Sequence, residues 1–396
     1  MKVVLITPFY RPDNYGGAVQ VYENLCREQG FEIHIICPDS QRYMNDEEYY
    51  SDTCIKLHRC ESLTFEFTVK NKILRIKEFF KYYRNRKKDI IELLKEIEPN
   101  VILNGGVRWL GWMNHEFRKI APVINYIHGE ELSIRPIGLI GKWFFSTQNK
   151  SLSNVALNLC VSSYTSNKVL EISPKANTSV LTNFVDPNRY YPCEDKQTLK
   201  SKYGLKDKVS LVSVCRLIER KGIDDLLDAL SEIISESENT VDIVLNVCGA
   251  GPDLERLKRR SVYLGLSGRV TFRGFTDDAV MLELLQASDI FVMPNKTVDG
   301  DLEGFGLVFL EANACGLPVI GGRSGGVVDA IEDGVSGYLV DPGDNKQLQQ
   351  ILKRLIYDDG LRSKLGQQGR KRAISEFSLS KKRIQFNEII NIGRLG

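Results

Sequence analysis

Glu303 and Glu311 lie eight residues apart in the stretch DLEGFGLVFLE at 301–311, with Gly304 and Gly306 between them. A helix beginning near Gly304 puts the amides of Phe305, Gly306 and Leu307 in its first turn. There the backbone N–H groups lack partners and the dipole is positive. Such a turn suits a phosphate, and glycine lets a ligand come close to the backbone. Eight helical residues span roughly 12 Å, comparable to a diphosphate linker. The two carboxylates can therefore hold different hydroxyl-bearing ends of one extended ligand. The plainer reading is two solvent-exposed helical glutamates.

A second group is CRLIERKG at 215–222. Arg216 offers a planar fork and Lys221 a point charge, which together can neutralise a diphosphate without a metal. Ordinary surface charge is the alternative, and it is the reading for Arg220. A third is Asp13, Asn14, Tyr15, Gly16 and Gly17, where a glycine pair again allows close approach. It is not G-x-G-x-x-G. The GAGP at 249–252 is a lone G-x-G, a weak phosphate signal that a simple turn also explains. His34, His58, His115 and His128 are scattered without metal-ligand spacing, so no metal site is expected. By itself His128, closing the run PVINYIH, reads as a strand-end core histidine.

The elements that must position these residues are short apolar runs alternating with amphipathic stretches. Eleven runs have the Val/Ile/Leu content of buried parallel strands: six between residues 3 and 183, and five between 209 and 322. Helical periodicity lies between them, as at 223–234, 253–264 and 278–288. This alternation predicts doubly wound α/β sheets, and eleven strands are many for one. The polar stretch 184–207, with Pro187 and Pro192, separates the two series. Two Rossmann-like domains facing across a ligand-binding cleft follow; a TIM barrel fits the count and the polar break less well.

Taken together, EGFGLVFLEANACGLPVIGGRSGGVVDAI, CRLIERKGIDDLLDAL and YGGAVQVYENL resemble the retaining family-four glycosyltransferases of the GT-B fold. That group includes glycogen-synthase-like and lipid-mannosyltransferase-like enzymes. The resemblance is strong over 209–343 and weaker over 1–185. It implies that Arg216 and Lys221 hold the donor diphosphate. Glu303 would meet the donor sugar's hydroxyls and Glu311 the ribose. The amides of Phe305, Gly306 and Leu307 would meet sugar and phosphate, and Gly16 or Gly17 the phosphate from the other domain. His128 would lie near the donor sugar and reaction centre. The implied domains are an acceptor-binding one (1–185 plus 377–396), a linker (186–208) and a donor-binding one (209–376). The terminal amphipathic stretch 377–392 is expected to cross back to the first domain. The implied chemistry is metal-independent hexosyl transfer with retention, from a nucleotide diphosphate sugar as donor substrate and with no cofactor. GDP-mannose is favoured; UDP-sugars remain open.

Composition narrows the classes. Of 396 residues, 42% are hydrophobic and 26% charged, which is globular, and no apolar run is long enough to span a bilayer. Net charge is +2, which speaks against a dedicated nucleic-acid binder. The N-terminus reads as a buried strand and not a signal peptide. Nine cysteines without a C-x-x-C pair read as buried thiols in a reducing cytosol. The stretch 70–88 carries nine Lys or Arg against Glu78, with Ile73, Ile76, Phe80 and Tyr83 at helical spacing. It reads either as a basic amphipathic helix resting on an anionic inner membrane face or as an ordinary solvated helix. The expected acceptor is a lipid-linked or cell-surface glycan precursor. Rivals are a soluble small acceptor, a GT-B epimerase or hydrolase of nucleotide sugars, and an inactive sugar-nucleotide sensor.

Overall fold

The computed structural model describes the chain except residues 11–15, 28–29, 40–52, 64–71, 134–137, 237–240 and 396. It divides into two compact units, residues 1–181 with 382–396, and residues 182–381.

The first unit holds a seven-stranded parallel sheet of order β3-β2-β1-β4-β5-β6-β7. Its strands are β1 (Lys2–Ile6), β2 (Glu32–Pro38), β3 (Ile55–Cys60), β4 (Val101–Asn104), β5 (Val123–Ile127), β6 (Leu157–Cys160) and β7 (Thr178–Val180). β4, β5 and β6 are buried along their whole length, which is why they read as apolar runs broken only by one Asn each. Helix α1 (Gly17–Cys26) follows β1, and α2 (Lys72–Ile97) precedes β4. Ile90, Leu94 and Ile97 of α2 are buried in a core with Val4, Ile6, Ile102 and Phe117.

Within this apolar sheet runs a row of buried amides. Asn104, Asn125 and Asn158 are direct neighbours across β4, β5 and β6. Asn104 Nδ2 donates to Asn114 Oδ1 at 2.8 Å, Asn114 Nδ2 to Asn125 Oδ1 at 2.8 Å, and Asn125 Nδ2 to Asn158 Oδ1 at 2.9 Å. Asn158 closes the row on the carbonyls of Leu152 and Asn177. At the other end Asn104 Oδ1 accepts the Gly106 amide, holding the loop that leaves β4. Buried amides are tolerated because each finds a partner.

The second unit holds a six-stranded parallel sheet of order β10-β9-β8-β11-β12-β13. Its strands are β8 (Val209–Val214), β9 (Ile243–Cys248), β10 (Val270–Gly274), β11 (Ile290–Met293), β12 (Val319–Gly322) and β13 (Gly337–Val340). The helices that matter below are α3 (Lys196–Lys202), α4 (Ile223–Glu236), α5 (Leu307–Ala314) and α6 (Asp359–Phe377). The order reverses between β8 and β11, so the loops after these two strands open onto a topological switch point. Helix α7 (Leu379–Leu395) begins in this unit, but from Lys382 onward it belongs to the first. There Phe386 and Ile390 are buried, and Arg383 donates to the Asn24 carbonyl at 2.9 Å.

Two strands carried no signal in the sequence. β3 (IKLHRC) and β13 (GYLV) are edge strands, and β3 is only partly buried, so neither has the long apolar run of a central strand. The stretch 186–208, expected to be a linker, is instead packed into the second unit. Tyr190 is buried, Gln286 Nε2 donates to the Tyr191 carbonyl at 2.8 Å, and Asp195 caps α3 through the Thr198 amide. The buried Lys200 ammonium bonds Asp289 at 2.7 Å. The unit boundary lies before this stretch, at Leu181/Thr182, because polarity marked its surface and not its partners.

Candidate active site

The loop after β8 and the loop after β11 meet at the switch point of the second unit. The first carries Arg216, Arg220 and Lys221, and a short 3₁₀ turn over Glu219–Lys221 sets their direction. Gly222 ends that turn at φ +69°, and a Cβ there would stand 2.1 Å from the Pro294 carbonyl oxygen. Only glycine lets the β8 loop lie this close to the end of β11. The Leu217 amide donates to the Ala250 carbonyl at 2.9 Å, so the GAGP segment is a turn that packs against the same loop.

Lys221 Nζ and Arg220 Nη1 both donate to Glu303 Oε2, the arginine at 2.8 Å. Arg220 Nε also donates to Asp301 Oδ2 at 3.0 Å. Burial would push the Glu303 carboxyl up, but Lys221 and Arg220 outweigh it and hold Glu303 below the usual carboxylate range. Its Oε1 has no hydrogen bond among the described residues. Arg216 is exposed, and its guanidinium likewise bonds nothing there. The site thus offers one open carboxylate oxygen and one free guanidinium beside a neutralised cluster. A sugar hydroxyl can be accepted at the first and a phosphate at the second.

The surface-charge reading of Arg220 is therefore wrong: its side chain is only 14% exposed and it braces Glu303. Its place directly before Lys221 was the available clue. The helix start also differs from expectation. α5 begins at Leu307 and not near Gly304, and Gly306 precedes it at φ +87°. A Cβ on Gly306 would meet the Phe309 ring at 2.6 Å. The first turn closes by the Phe309 amide on the Gly306 carbonyl at 3.1 Å. The unbonded first-turn amides are thus those of Leu307 and Val308, while Phe305 and Gly306 lie in the loop before it. The Phe305 side chain is buried, 6.0 Å from the Phe377 ring, so only its backbone can face a ligand. Because Glu303 lies outside the helix, the 12 Å helical spacing to Glu311 does not hold.

Glu311 is buried inside α5, not exposed on it. Burial raises its carboxyl to about 7, opposed by a hydrogen bond with Tyr190 and the charge of Arg189. Tyr190 and Arg189 come from the stretch expected to be a linker, and no spacing in the sequence ties them to Glu311.

His128, Gly16 and Gly17 belong to the first unit. Gly16 and Gly17 are exposed at the start of α1, while Asp13, Asn14 and Tyr15 lie outside the described residues. His128 follows β5. Its Nε2 is 2.9 Å from the Tyr22 hydroxyl, which lies 2.9 Å from the Gly105 carbonyl oxygen. A carbonyl only accepts, so the single hydroxyl proton of Tyr22 goes to Gly105 and His128 must donate its Nε2–H. Nδ1 is then left as an acceptor. Burial lowers the imidazole pKa to about 4, so the ring is neutral at physiological pH. The Glu131 carboxylate accepts the His128 amide at 3.0 Å and the Gly129 amide at 2.7 Å, fixing the loop.

Two parallel sheets, each with its switch-point loops, and a last helix shared between units define a two-domain GT-B fold. Solved structures agree: a sucrose-phosphate synthase from Thermosynechococcus elongatus matches at TM-score 0.79 and 19% identity, over 98% of both chains. Anabaena HepE, solved with UDP and glucose, matches at 0.78 and 18%, over 99% of both. Residues 15–189 match the family model described as Glycosyltransferase Family 4, and residues 195–372 that of Glycosyl transferases group 1. A relative from Corynebacterium glutamicum is 30% identical over 72% of this chain and 75% of its own. It is a GDP-mannose-dependent monoacylated alpha-(1-6)-phosphatidylinositol monomannoside mannosyltransferase. A GDP-mannose-dependent alpha-(1-6)-phosphatidylinositol monomannoside mannosyltransferase from Mycolicibacterium smegmatis is 34% identical over 58% of this chain, which spans 61% of that relative's length. The chain belongs to the family-four glycosyltransferases.

Proposed function

We propose that this glycosyltransferase moves a hexosyl group, with retention and without a metal, from a nucleotide diphosphate sugar to a lipid-linked or cell-surface glycan precursor. The observation that carries the reading is the cluster after β8 and β11. A free Arg216 and a Lys221 stand beside a Glu303 whose Oε1 is open. GDP-mannose is the favoured donor, on the names of the two mannosyltransferase relatives.

The bond from the anomeric carbon to the diphosphate oxygen breaks as the bond to the acceptor oxygen forms. The acceptor's proton passes to the departing phosphate oxygen. Arg216, Lys221 and the first amides of α5 stabilise the charge growing on the diphosphate, and Glu303 Oε1 holds a sugar hydroxyl.

The acceptor is met at an anionic membrane surface. Support comes from the first unit, where the chain's three tryptophans and Tyr83 gather. Tyr83 stacks on Trp112 with centroids 3.6 Å apart, and Trp143 meets Tyr83 edge-on at 5.5 Å. Arg108 lies over Trp109 at 5.2 Å. Arg84, Lys88 and Lys142 are exposed. Indole and phenol rings beside basic side chains suit a lipid headgroup region.

The test is transfer of labelled sugar from GDP-mannose, UDP-glucose or UDP-N-acetylglucosamine to phosphatidylinositol mannosides in vesicles, with and without EDTA. The product's anomeric configuration is read by NMR. EDTA-insensitive transfer giving the donor's own configuration is expected. Inversion, or donor hydrolysis with no transfer to any lipid or soluble sugar acceptor, would refute the proposal.

A further inference from the structure

Glu303 takes two cations on one oxygen and none on the other. The two cations differ in kind. Lys221 is a point charge on a flexible stem, whereas the Arg220 guanidinium forks between Glu303 Oε2 at 2.8 Å and Asp301 Oδ2 at 3.0 Å. The formal charges of Arg220, Lys221, Asp301 and Glu303 cancel. A diphosphate arriving at Arg216 brings further negative charge and competes with Glu303 for the Lys221 ammonium. A lysine stem can rotate from carboxylate to phosphate. A fork bound to two carboxylates of one loop is held.

We propose that Arg220 is a positioning residue for transfer: it holds Glu303 ionised, with Oε1 open to the sugar, while Lys221 passes to the diphosphate. Donor binding then exchanges one ion pair for another and never leaves the largely buried carboxylate without a cation. Such stranding is the strongly unfavourable outcome for an enclosed charge. The inference rests on the donor-site reading of Glu303 and Lys221 above and goes beyond it in assigning Arg220. The groups facing Glu303 are Arg220 and Lys221 from the β8 loop and Cys215 directly after β8. Burial keeps the Cys215 thiol neutral, at about 12. Asp301 reaches the cluster through Arg220.

The test uses the full chain with its donor and acceptor, and the variants Arg220→Gln, Arg220→Lys, Asp301→Asn, Glu303→Gln and the double variant R220Q/E303Q. Arg220→Gln should lower kcat about tenfold or more with a smaller change in donor KM. It should also move the acid limb of the kcat/KM profile upward by about one pH unit, because Glu303 loses a cation and is protonated at higher pH. Arg220→Lys, which keeps the charge without the fork, should bring the limb part of the way back. Asp301→Asn should shift it in the same direction by less, and it serves if Arg220→Gln does not fold. In the Glu303→Gln background, Arg220→Gln should cost at most about twofold, since residues acting through one another are not additive. An unmoved acid limb in both Arg220→Gln and Asp301→Asn overturns the proposal. So does a full, multiplicative loss in the double variant, the mark of a loop scaffold alone. Failure of the donor-site reading looks different: Glu303→Gln by itself would then turn over like wild type.

Discussion

Glu303 and Glu311 are chemically identical side chains whose surroundings shift their acidity in opposite directions. Lys221 and Arg220 hold Glu303 ionised, while burial lifts Glu311 to about 7. Glu311 is an acid whose folded pKa is raised from its usual 4.5. Its contribution to stability is fully present below that value and is lost as pH rises through about 7. The loss amounts to at most about 3 kcal/mol. Glu311→Gln removes this penalty while keeping a hydrogen-bonding partner for Tyr190. Calorimetry should therefore find the variant more stable than wild type at pH 8 and little different at pH 5; equal melting curves at pH 8 would show that Glu311 is not so enclosed. For the diphosphate-facing cations, Lys221→Ala or Arg216→Ala should each cut turnover about a hundredfold or more, the scale of losing one group that stabilises developing charge. Both lie in a loop, so circular dichroism should show folded protein. Near wild-type turnover in either variant would remove that residue from the donor site.

α2 shows how an element divides what a sequence run groups together. The stretch 70–88 reads as one basic helix, and a helix does form over Lys72–Ile97. Residues 70 and 71 and the side chains of 72–82 lie outside the described set. In the part that follows, the basic residues are not equivalent. Arg86 is 3% exposed and donates to the Ser62 carbonyl at 2.9 Å, so it is structural and not part of a lipid-facing surface. Lys87 pairs with Glu116 at 2.6 Å. Arg84 and Lys88 face solvent, as does Lys142 beside Trp143. If these three meet anionic lipid at about 1 kcal/mol each, replacing all three by Ser weakens vesicle binding by about a hundredfold. Roughly 0.5 M salt should release the wild-type protein as well. Co-sedimentation with and without anionic lipid checks this; wild-type protein left in the supernatant at low salt would favour a soluble acceptor. Periodicity in the sequence could find the helix, but it could not tell Arg86 from Arg84, because that depends on the Ser62 carbonyl brought in from another element.

At the scale of the whole molecule, the last helix has the clearest energetic role. Phe386 is 1% and Ile390 0% exposed, and a Cβ on Gly393 would stand 2.5 Å from the Ile124 side chain of β5. The end of the chain thus completes the core of the first unit. Phe386→Ala should cost about 3–5 kcal/mol. Because residues 382–396 group with the first unit, amide exchange should speed up in β1, β4 and β5 and change little in β8, β9 and β11. Equal loss of protection in both sheets would contradict that assignment.

The sequence alone determined the central strands of the two sheets. β4, β5, β6, β9, β11 and β12 are enclosed on both faces, and such strands must be largely apolar whatever lies around them. It also determined Arg216, Lys221, Glu303 and Glu311 as candidates, since they sit in short segments of chain with Gly222 and Gly306 at their turns. Tertiary structure alone decided what those groups are. Arg220 became a brace because Asp301 and Glu303, more than eighty residues on, return to it across the β8–β11 switch point. Glu311 became a raised acid because the fold buries it, against the opposing pull of Tyr190 and Arg189 from a segment that looked like a linker. His128 became a neutral acceptor because burial keeps its ring uncharged and Tyr22, 106 residues earlier, gives its proton to Gly105. Charge state and proton position depend on neighbours distant in the chain, and local sequence carries no record of them.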